Sequence, residues 1–396
     1  MKINFFAFFL FVSGGLISCS NLSAVHSVDN LKKAEKTLHS IFSLYASDND
    51  FLLRETYPFN ENHKVTYLAD NEQSNSQNAY SFLWPYSGGF SASIAIYENS
   101  KNTKDLQFIE NIIIEGLDFY MDEKRKPASY ASYLEKQPLP DRFYDDNVWI
   151  GIDFTDLYLL TKDKKHLDKA TMIWKFIESG TDSLLGGGIY WCEQKKHSKN
   201  TCSNAPGAVY ALKLFEATKD SAYFYAGKKL YDWTKTNLQD KNDYLYYDNI
   251  NLEGRIDKNK FAYNSGQMLQ ASSLLYKFTK NETYLKEAQK IAKSCHNHFF
   301  HDFTTNKGRK IHLMKNGDIW FMAVMMRGFV ELYSIDQNRE YIDSFLESLD
   351  YAWENMREKN GLFNDDWTLK TKRESKWLLT QFAMTEMYAR LSNLNL

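Results

Sequence analysis

Residues 146–178 read DNVWIGIDFTDLYLLTKDKKHLDKATMIWKFIE, and the tripeptide Thr161-Lys162-Asp163 splits this stretch into two unlike halves. Asp146 to Leu160 is poor in charge and apolar most of the way round, the pattern of a helix buried on several sides. Lys164 to Glu178 is charge-rich with apolar residues at three-to-four spacing, so one of its faces meets water. The same unit recurs. Ser100-Lys101-Asn102, Thr218-Lys219-Asp220, Thr279-Lys280-Asn281 and, more loosely, Ile335-Asp336-Gln337 repeat the turn about every 56–61 residues. Asp, Asn and Ser near these starts can cap orphan backbone N–H groups. Further charge-poor helices are predicted over Trp84 to Glu98, Asn204 to Ala217, Tyr263 to Phe278, Trp320 to Tyr333 and Trp377 to Ala389. With a first outer helix from about Leu31, six outer and six inner helices result, which predicts an all-α (α/α)6 barrel. An open helical array is disfavoured because both ends look like ordinary units without polar caps. The long connections, near residues 47–80, 123–144, 180–203, 239–262, 300–318 and 359–375, all lead from an outer to an inner helix. They gather on one face, where function is expected.

Composition narrows the class. A chain of 396 residues with 43% hydrophobic content and 6 Pro is neither disordered, collagen-like nor Pro-rich. Its 48 Lys+Arg against 50 Asp+Glu give a charge of -2, and loss of Lys2 with a leader makes that -3, so no nucleic-acid partner is expected. Aromatic residues reach 16%; most fill the core, and the excess suits a surface that stacks on sugars.

Met1-Lys2 and the apolar run Phe5 to Ile17 form an export leader too short to span a bilayer. Leu16-Ile17-Ser18-Cys19 resembles the lipobox of bacterial lipoproteins, which implies lipidation at Cys19. The expected organisation is a leader over 1–18, a lipidated tether over 19–29 and one catalytic barrel over 30–396, held to a membrane only by its lipid. An ordinary signal peptide cut nearby is the competing reading, and both place the protein outside the cytoplasm. Cys192 and Cys202 flank a polar loop in that oxidising compartment, so a disulfide between them is expected, with Cys295 free and buried. Their spacing does not suit zinc, and neither a metal nor a cofactor is expected. A monomer is expected.

The predicted inner-helix starts carry aromatic, amide and carboxylate groups that would rim one cavity: Trp84-Pro85-Tyr86, Asp145-Asp146-Asn147, Asn204-Ala205-Pro206-Gly207, Tyr263-Asn264-Ser265-Gly266, Gly317-Asp318-Ile319-Trp320 and Lys376-Trp377. This mixture suits a neutral polyhydroxylated ligand, a glycan. Adjacent carboxylates split their pKa values when crowded, and a helix start favours the ionised one. Glycoside hydrolysis needs that division between an ionised and a protonated carboxyl. Asp365-Asp366, in a loop, reads as a polar turn or a rim contact. Asp153 and Asp156, inside a buried helix, read as partners of Arg327 or of hydroxyls. Gly186-Gly187-Gly188 lacks the Lys-Ser/Thr continuation of a phosphate loop and reads as backbone freedom near Tyr190 and Trp191.

Phe143-Tyr144-Asp145-Asp146-Asn147-Val148-Trp149-Ile150-Gly151 resembles the Asp-Asp signature of glycoside hydrolase family 76, the bacterial endo-α-1,6-mannanases. Gly187-Gly188-Ile189-Tyr190-Trp191, Lys199-Asn200-Thr201-Cys202-Ser203-Asn204 and Tyr263-Asn264-Ser265-Gly266-Gln267-Met268 resemble that family in the same order. The resemblance implies an (α/α)6 barrel and retaining cleavage of α-1,6-mannan or its oligosaccharides. Asp145 is then the nucleophile and Asp146 the general acid/base, while Asp248 holds hydroxyls of a neighbouring mannose. Trp84, Tyr144, Trp149, Tyr190, Asn204, Tyr263, Asn264, Gln267 and Trp320 complete the candidate substrate-binding set. The leader and the Cys192–Cys202 segment resemble versions from gut Bacteroidetes. Ser20-Asn21-Leu22-Ser23 lacks the acidic run tied there to surface display, which favours a periplasm-facing protein. Competing readings are a glycan-binding protein on a hydrolase scaffold, the same barrel acting on another α-glycan, and a terpene synthase. The last is opposed by the leader and by the lack of a basic diphosphate-binding cluster.

Overall fold

The computed structural model describes residues 18–69, 78–136, 139–392 and 394, with side chains from residue 29 onward. Of the expected leader over 1–18 only Ser18 falls within these residues, and the side chain of Cys19 is not described. Outer and inner helices alternate along the chain. They are α1 (Ser18–Leu44, outer), α2 (Leu83–Ser100, inner), α3 (outer; Thr103–Phe108, a π turn Ile109–Ile113, then Ile114–Asp118), α4 (Tyr144–Thr161), α5 (Lys164–Ser179), α6 (Thr201–Thr218), α7 (Ser221–Leu238), α8 (Ala262–Thr279), α9 (Glu282–Phe299), α10 (Ile319–Asp336), α11 (Arg339–Asn355) and α12 (Leu378–Ser392). Helix α1 takes in residues 19–29, which the sequence assigned to a tether.

The even-numbered helices pack in order, α2 on α4, α4 on α6, and so on to α12, which returns to α2. The inner ring is therefore closed, and the fold is an (α/α)6 barrel. Glycine permits a close crossing of backbones: a Cβ on Gly266 of α8 would lie 2.3 Å from Met325 Cα of α10. A pair of two-residue strands, β1 (Thr56–Tyr57) and β9 (Lys376–Trp377), ties the first long loop to the last.

At the blunt end the repeated turns share one geometry. Lys101, Lys162, Lys219, Lys280 and Gln337 each adopt the left-handed conformation, with φ between 50° and 63°. The next residue, Asn102, Asp163, Asp220, Asn281 or Asn338, caps the following outer helix through its side chain. In the fifth turn Asp336 Oδ1 accepts from Asn338 N as a Ser or Thr hydroxyl does in the other four. The equivalent tripeptide is thus Asp336-Gln337-Asn338, one residue later than the sequence reading placed it.

The opposite face holds the long loops, which form short strands that the helical periodicity did not announce. Strands β2 (Met121–Asp122) and β3 (Ser129–Tyr130) pair antiparallel. Strands β4 (Ser198–Asn200), β5 (Tyr247–Asn251) and β6 (Ile256–Lys260) form a three-stranded antiparallel sheet, and β7 (Phe300–Thr304) with β8 (Lys310–Met314) a hairpin. Side-chain amides latch these loops onto the inner helices. Asn147 takes the backbone of Tyr130, Asn204 that of Ile189 and Gln381 that of Phe363, and Asn147 and Asn204 also bond the carbonyl four residues back. Among the described residues no helix is long and apolar enough to cross a membrane.

Candidate active site

Helix α4 begins at the rim without a cap from the side chain of Phe143, and its first turn carries the carboxylates Asp145 and Asp146, where the helix dipole favours negative charge. Both line a cavity of about 440 Å³ walled by Tyr67, Trp84, Phe143, Trp149, Trp191, Asn200, Cys202, Asp248, Asn249, Phe261, Tyr263, Trp320 and Phe321. Its aromatic lining is rigid: Tyr263 stacks on Phe321 at 4.1 Å, while Trp320 meets Trp149 and Trp84 edge-on at 5.1 and 5.3 Å. Such fixed rings present flat apolar faces between polar groups, as a pyranose requires.

The two aspartates are treated unequally. Asp145 Oδ2 accepts from Trp191 Nε1 at 3.0 Å and from the Cys202 thiol at 3.3 Å, and its Oδ1 accepts from the backbone N–H of Asp146 at 3.1 Å. Asp146, 9% exposed, has a carboxyl with no such set of donors. Burial raises the pKa of both, but the donors on Asp145 oppose the rise, whereas the Asp145 charge adds to it at Asp146. Asp145 is therefore the carboxyl of the pair that ionises first, and Asp146 the one that keeps its proton longer.

Trp191 is fixed from behind. Tyr144 N donates to Trp191 O at 2.9 Å, and Glu193 N to Arg142 O at 3.0 Å. The fully buried Arg142 clamps Glu193 through two bonds of 2.7 and 2.6 Å. Across the cavity, Asp248 on β5 accepts from Asn249 Nδ2 at 2.8 Å and from Asn264 Nδ2 at 3.4 Å. Burial raises its pKa.

Of the predicted site residues, Trp84, Asp145, Asp146, Trp149, Asp248, Tyr263 and Trp320 converge on this cavity. Others stand elsewhere. Tyr144 is stacked on Phe176 at 4.6 Å in the core, and Tyr190 points the other way to bond Asp182 at 2.6 Å beneath the Lys199 ammonium. Asn204 is consumed as a latch, Asn264 backs Asp248, and Gln267 is buried against Gln270 at 2.9 Å. The expected Cys192–Cys202 disulfide is not formed; both are free thiols. Cys202, in the first turn of α6, is aimed at Asp145, while Cys192 sits in the bridge opposite Phe143. Cys295 is free and buried as expected.

The remaining aspartates follow their structural readings. Asp153 accepts from Ser91 Oγ at 2.6 Å near Arg327, and Asp156 pairs with Lys213 at 2.6 Å. Asp366 collects Asn316, Thr368 and Thr371 in a polar turn that holds it ionised. Residues that sequence reasoning passed over include Trp191, Phe321 and Tyr67. Trp191 was readable from alternation, since neighbours in an extended segment face opposite ways and Tyr190 and Trp191 cannot both enter the cavity. Among the described residues no group of three His, Cys, Asp or Glu is placed to hold a metal ion.

A split carboxyl pair on an aromatic floor at the mouth of an (α/α)6 barrel defines a helical-barrel glycoside hydrolase. The profile of glycosyl hydrolase family 76 matches residues 55–395, and the chain belongs to that family. The family 76 mannosidase Bt3792 of Bacteroides thetaiotaomicron superposes with a TM-score of 0.83 at 34% identity, covering 92% of this chain and 98% of that one. An inactive variant of the α-1,6-mannanase of Salegentibacter sp. HEL1_6, with two adjacent aspartates changed to asparagine and α-1,6-mannotriose bound, matches at TM-score 0.72 and 25% identity over 92% of this chain and 99% of that one. The mannan endo-1,6-α-mannosidase DCW1 of Saccharomyces cerevisiae is 29% identical over 126 residues, 30% of this chain and 28% of that protein. The matches span about half or less of the curated fungal relatives' lengths.

Proposed function

We propose that this chain is a retaining endo-α-1,6-mannanase. The observation that carries the reading is the unequal donor set on Asp145 and Asp146. Asp145, held ionised, attacks the anomeric carbon, and the carboxyl proton of Asp146 passes to the departing glycosidic oxygen. Asp146, now ionised, takes a proton from water as that water displaces Asp145 from the glycosyl-enzyme. Asp248 and its amide neighbours accept hydroxyl hydrogens, and the indoles of Trp84, Trp149 and Trp320 pack on sugar faces. The mannan substrate is supported by the family and by the mannotriose bound to the Salegentibacter protein.

The test is NMR of early products from linear α-1,6-mannan. Short oligosaccharides released first as α-anomers are expected; β-anomers would overturn the retaining step, and no products would favour a glycan-binding protein. Asp145→Asn and Asp146→Asn should each lower kcat by about 10²–10⁴-fold while mannan binding persists; unchanged turnover in both would overturn the site. The leader supports an exported, lipid-anchored and periplasm-facing protein that shortens imported oligosaccharides. Palmitate labelling lost in Cys19→Ala checks the anchor, and labelling that persists overturns it.

A further inference from the structure

A second cavity, of about 550 Å³, opens on the same rim beside the catalytic one. The segment from Thr56 to Tyr67, the start of α10 at Asp318, and the loop before α12 enclose it. Thr66 and Tyr67 line both cavities. Between the two stands a wall of three rings: Tyr67 meets Trp84 at 4.9 Å and Trp377 at 5.8 Å, and Trp84 meets Trp377 at 5.4 Å.

The wall is pinned from within. Buried Glu55 accepts from Tyr67 Oη at 2.9 Å, Trp377 Nε1 at 2.6 Å and Phe82 N at 2.9 Å. The β1–β9 pair sets Thr56 opposite Trp377. Three bonds on one buried carboxylate tie the two rings and the start of α2 to one another, so the partition is built into the rim.

The lining of the second cavity repeats the chemistry of the first. Trp377 supplies an aromatic surface, Asn60, Ser375 and Thr380 supply an amide and hydroxyls, and Asp318 supplies a carboxylate whose Oδ1 caps Trp320 N at 2.8 Å. Asp365 and Arg373 neutralise each other at 2.8 Å. The volume falls within the ~300–1,000 Å³ of small-ligand sites. His63 and the exposed Lys64 also line it, and a lining of hydroxyls, amide, carboxylate, ammonium and indole, with Asp365 and Arg373 paired, supplies the donors, acceptors and flat apolar face that a polyhydroxylated sugar uses.

We propose that this second cavity binds a side branch of the glycan, so that the substrate is a forked α-mannan with its backbone across the aspartates and a branch beyond the Tyr67 wall. The inference rests on the mannanase reading given above. Two cavities that share only the edge at Thr66 and Tyr67, with the three-ring wall between them, offer a glycan two compartments that meet at one point, as a backbone and its branch require.

Ser375→Trp and Asn60→Trp fill the cavity from two exposed positions that touch no catalytic group. Cleavage of a linear α-1,6-manno-oligosaccharide and of the same backbone carrying one mannosyl branch is compared by kcat/KM. Each variant should lose about tenfold or more on the branched compound, the scale of one lost pocket contact, and stay within about twofold on the linear one. Equal losses on both would assign the cavity to the backbone and overturn the proposal, as would no loss on either. Calorimetric binding of both compounds in an Asp146→Asn background gives the same contrast without turnover. Weakening confined to the branched compound supports the branch site, and equal or absent weakening overturns it. Failure of the wild type to cleave the linear compound would refute the mannanase reading separately.

Discussion

Replacing Trp191 by Phe deletes one N–H and keeps a ring. The bond removed is the 3.0 Å donation from Nε1 to Asp145 Oδ2, while Phe can retain the packing on Phe143, whose ring centroid lies 5.0 Å away. A hydrogen bond to a charged group contributes about 1.5–3 kcal/mol, which at 1.36 kcal/mol per pKa unit corresponds to about 1–2 units. The donor favours the ionised carboxyl, so its loss raises the pKa of Asp145. On the proposed mechanism Asp145 acts as the ionised nucleophile in the free enzyme, so the acid limb of kcat/KM should move up by about 1–2 pH units. The assay is a pH profile of kcat/KM on a linear α-1,6-manno-oligosaccharide, with thermal unfolding to confirm that the fold is intact. Below the wild-type limb the variant should be about 10–100-fold slower, and the gap should close as pH rises above the new limb. A limb that stays in place while the rate falls equally at every pH would refute the reasoning. It would mean that Trp191 serves as a stacking surface and does not govern the charge of Asp145.

Cys202→Ala should move the same limb upward by about 0.5 unit, the effect of one weak donor, and Cys202→Ser should restore it; equal profiles for the two variants would contradict the S–H donation. Peptide mapping without reductant should find Cys192 and Cys202 unlinked, and a linked peptide would overturn the free-thiol arrangement. Burial holds Asp153 protonated up to a pKa of about 7 in the fold, against an ordinary value of 3.8, so the folded state binds the extra proton. That contribution is full below about pH 4 and lost as pH rises through about 7, on the order of 4 kcal/mol at most. Urea unfolding of Asp153→Asn at pH 5 and 7.5 should show a smaller pH dependence than wild type, and an identical one would contradict the assignment. Gly266→Ala forces a methyl group against the α10 backbone at Met325 and should destabilise by about 1–3 kcal/mol; an unchanged unfolding midpoint would contradict the close crossing.

The barrel was legible because its two helix classes differ in composition and its turns repeat one chemical formula. A charge-poor helix beside an amphipathic one packs as an inner and an outer layer, and a Lys-Asn/Asp turn marks four of the five junctions, with Gln337-Asn338 at the fifth. The rim was legible only in part. Position at a helix start was readable, but the direction of a side chain from that start was not, which is why Tyr144 and Asn204 were expected in a cavity they do not enter. Asn204 looked like a sugar-binding amide and instead holds the Ile189 backbone, because an amide one turn into an inner helix meets the loop passing above it. The Cys192–Cys202 pairing was inferred from compartment and proximity in sequence. The first turn of α6 carries Cys202 toward the carboxyl pair, a matter of helix phase that no spacing rule contains.

The union of the first long loop with the last has a consequence for how the chain folds. Glu55 and Trp377 lie 322 residues apart, and α12 packs against both α1 and α2. A chain made or delivered from its N-terminus therefore carries an unsealed apolar seam along α2 until its final helix arrives. Deleting α12 should not yield a smaller barrel with five inner helices. It should yield an aggregating intermediate, because the gap it leaves is bordered by the charge-poor inner helices α2 and α10.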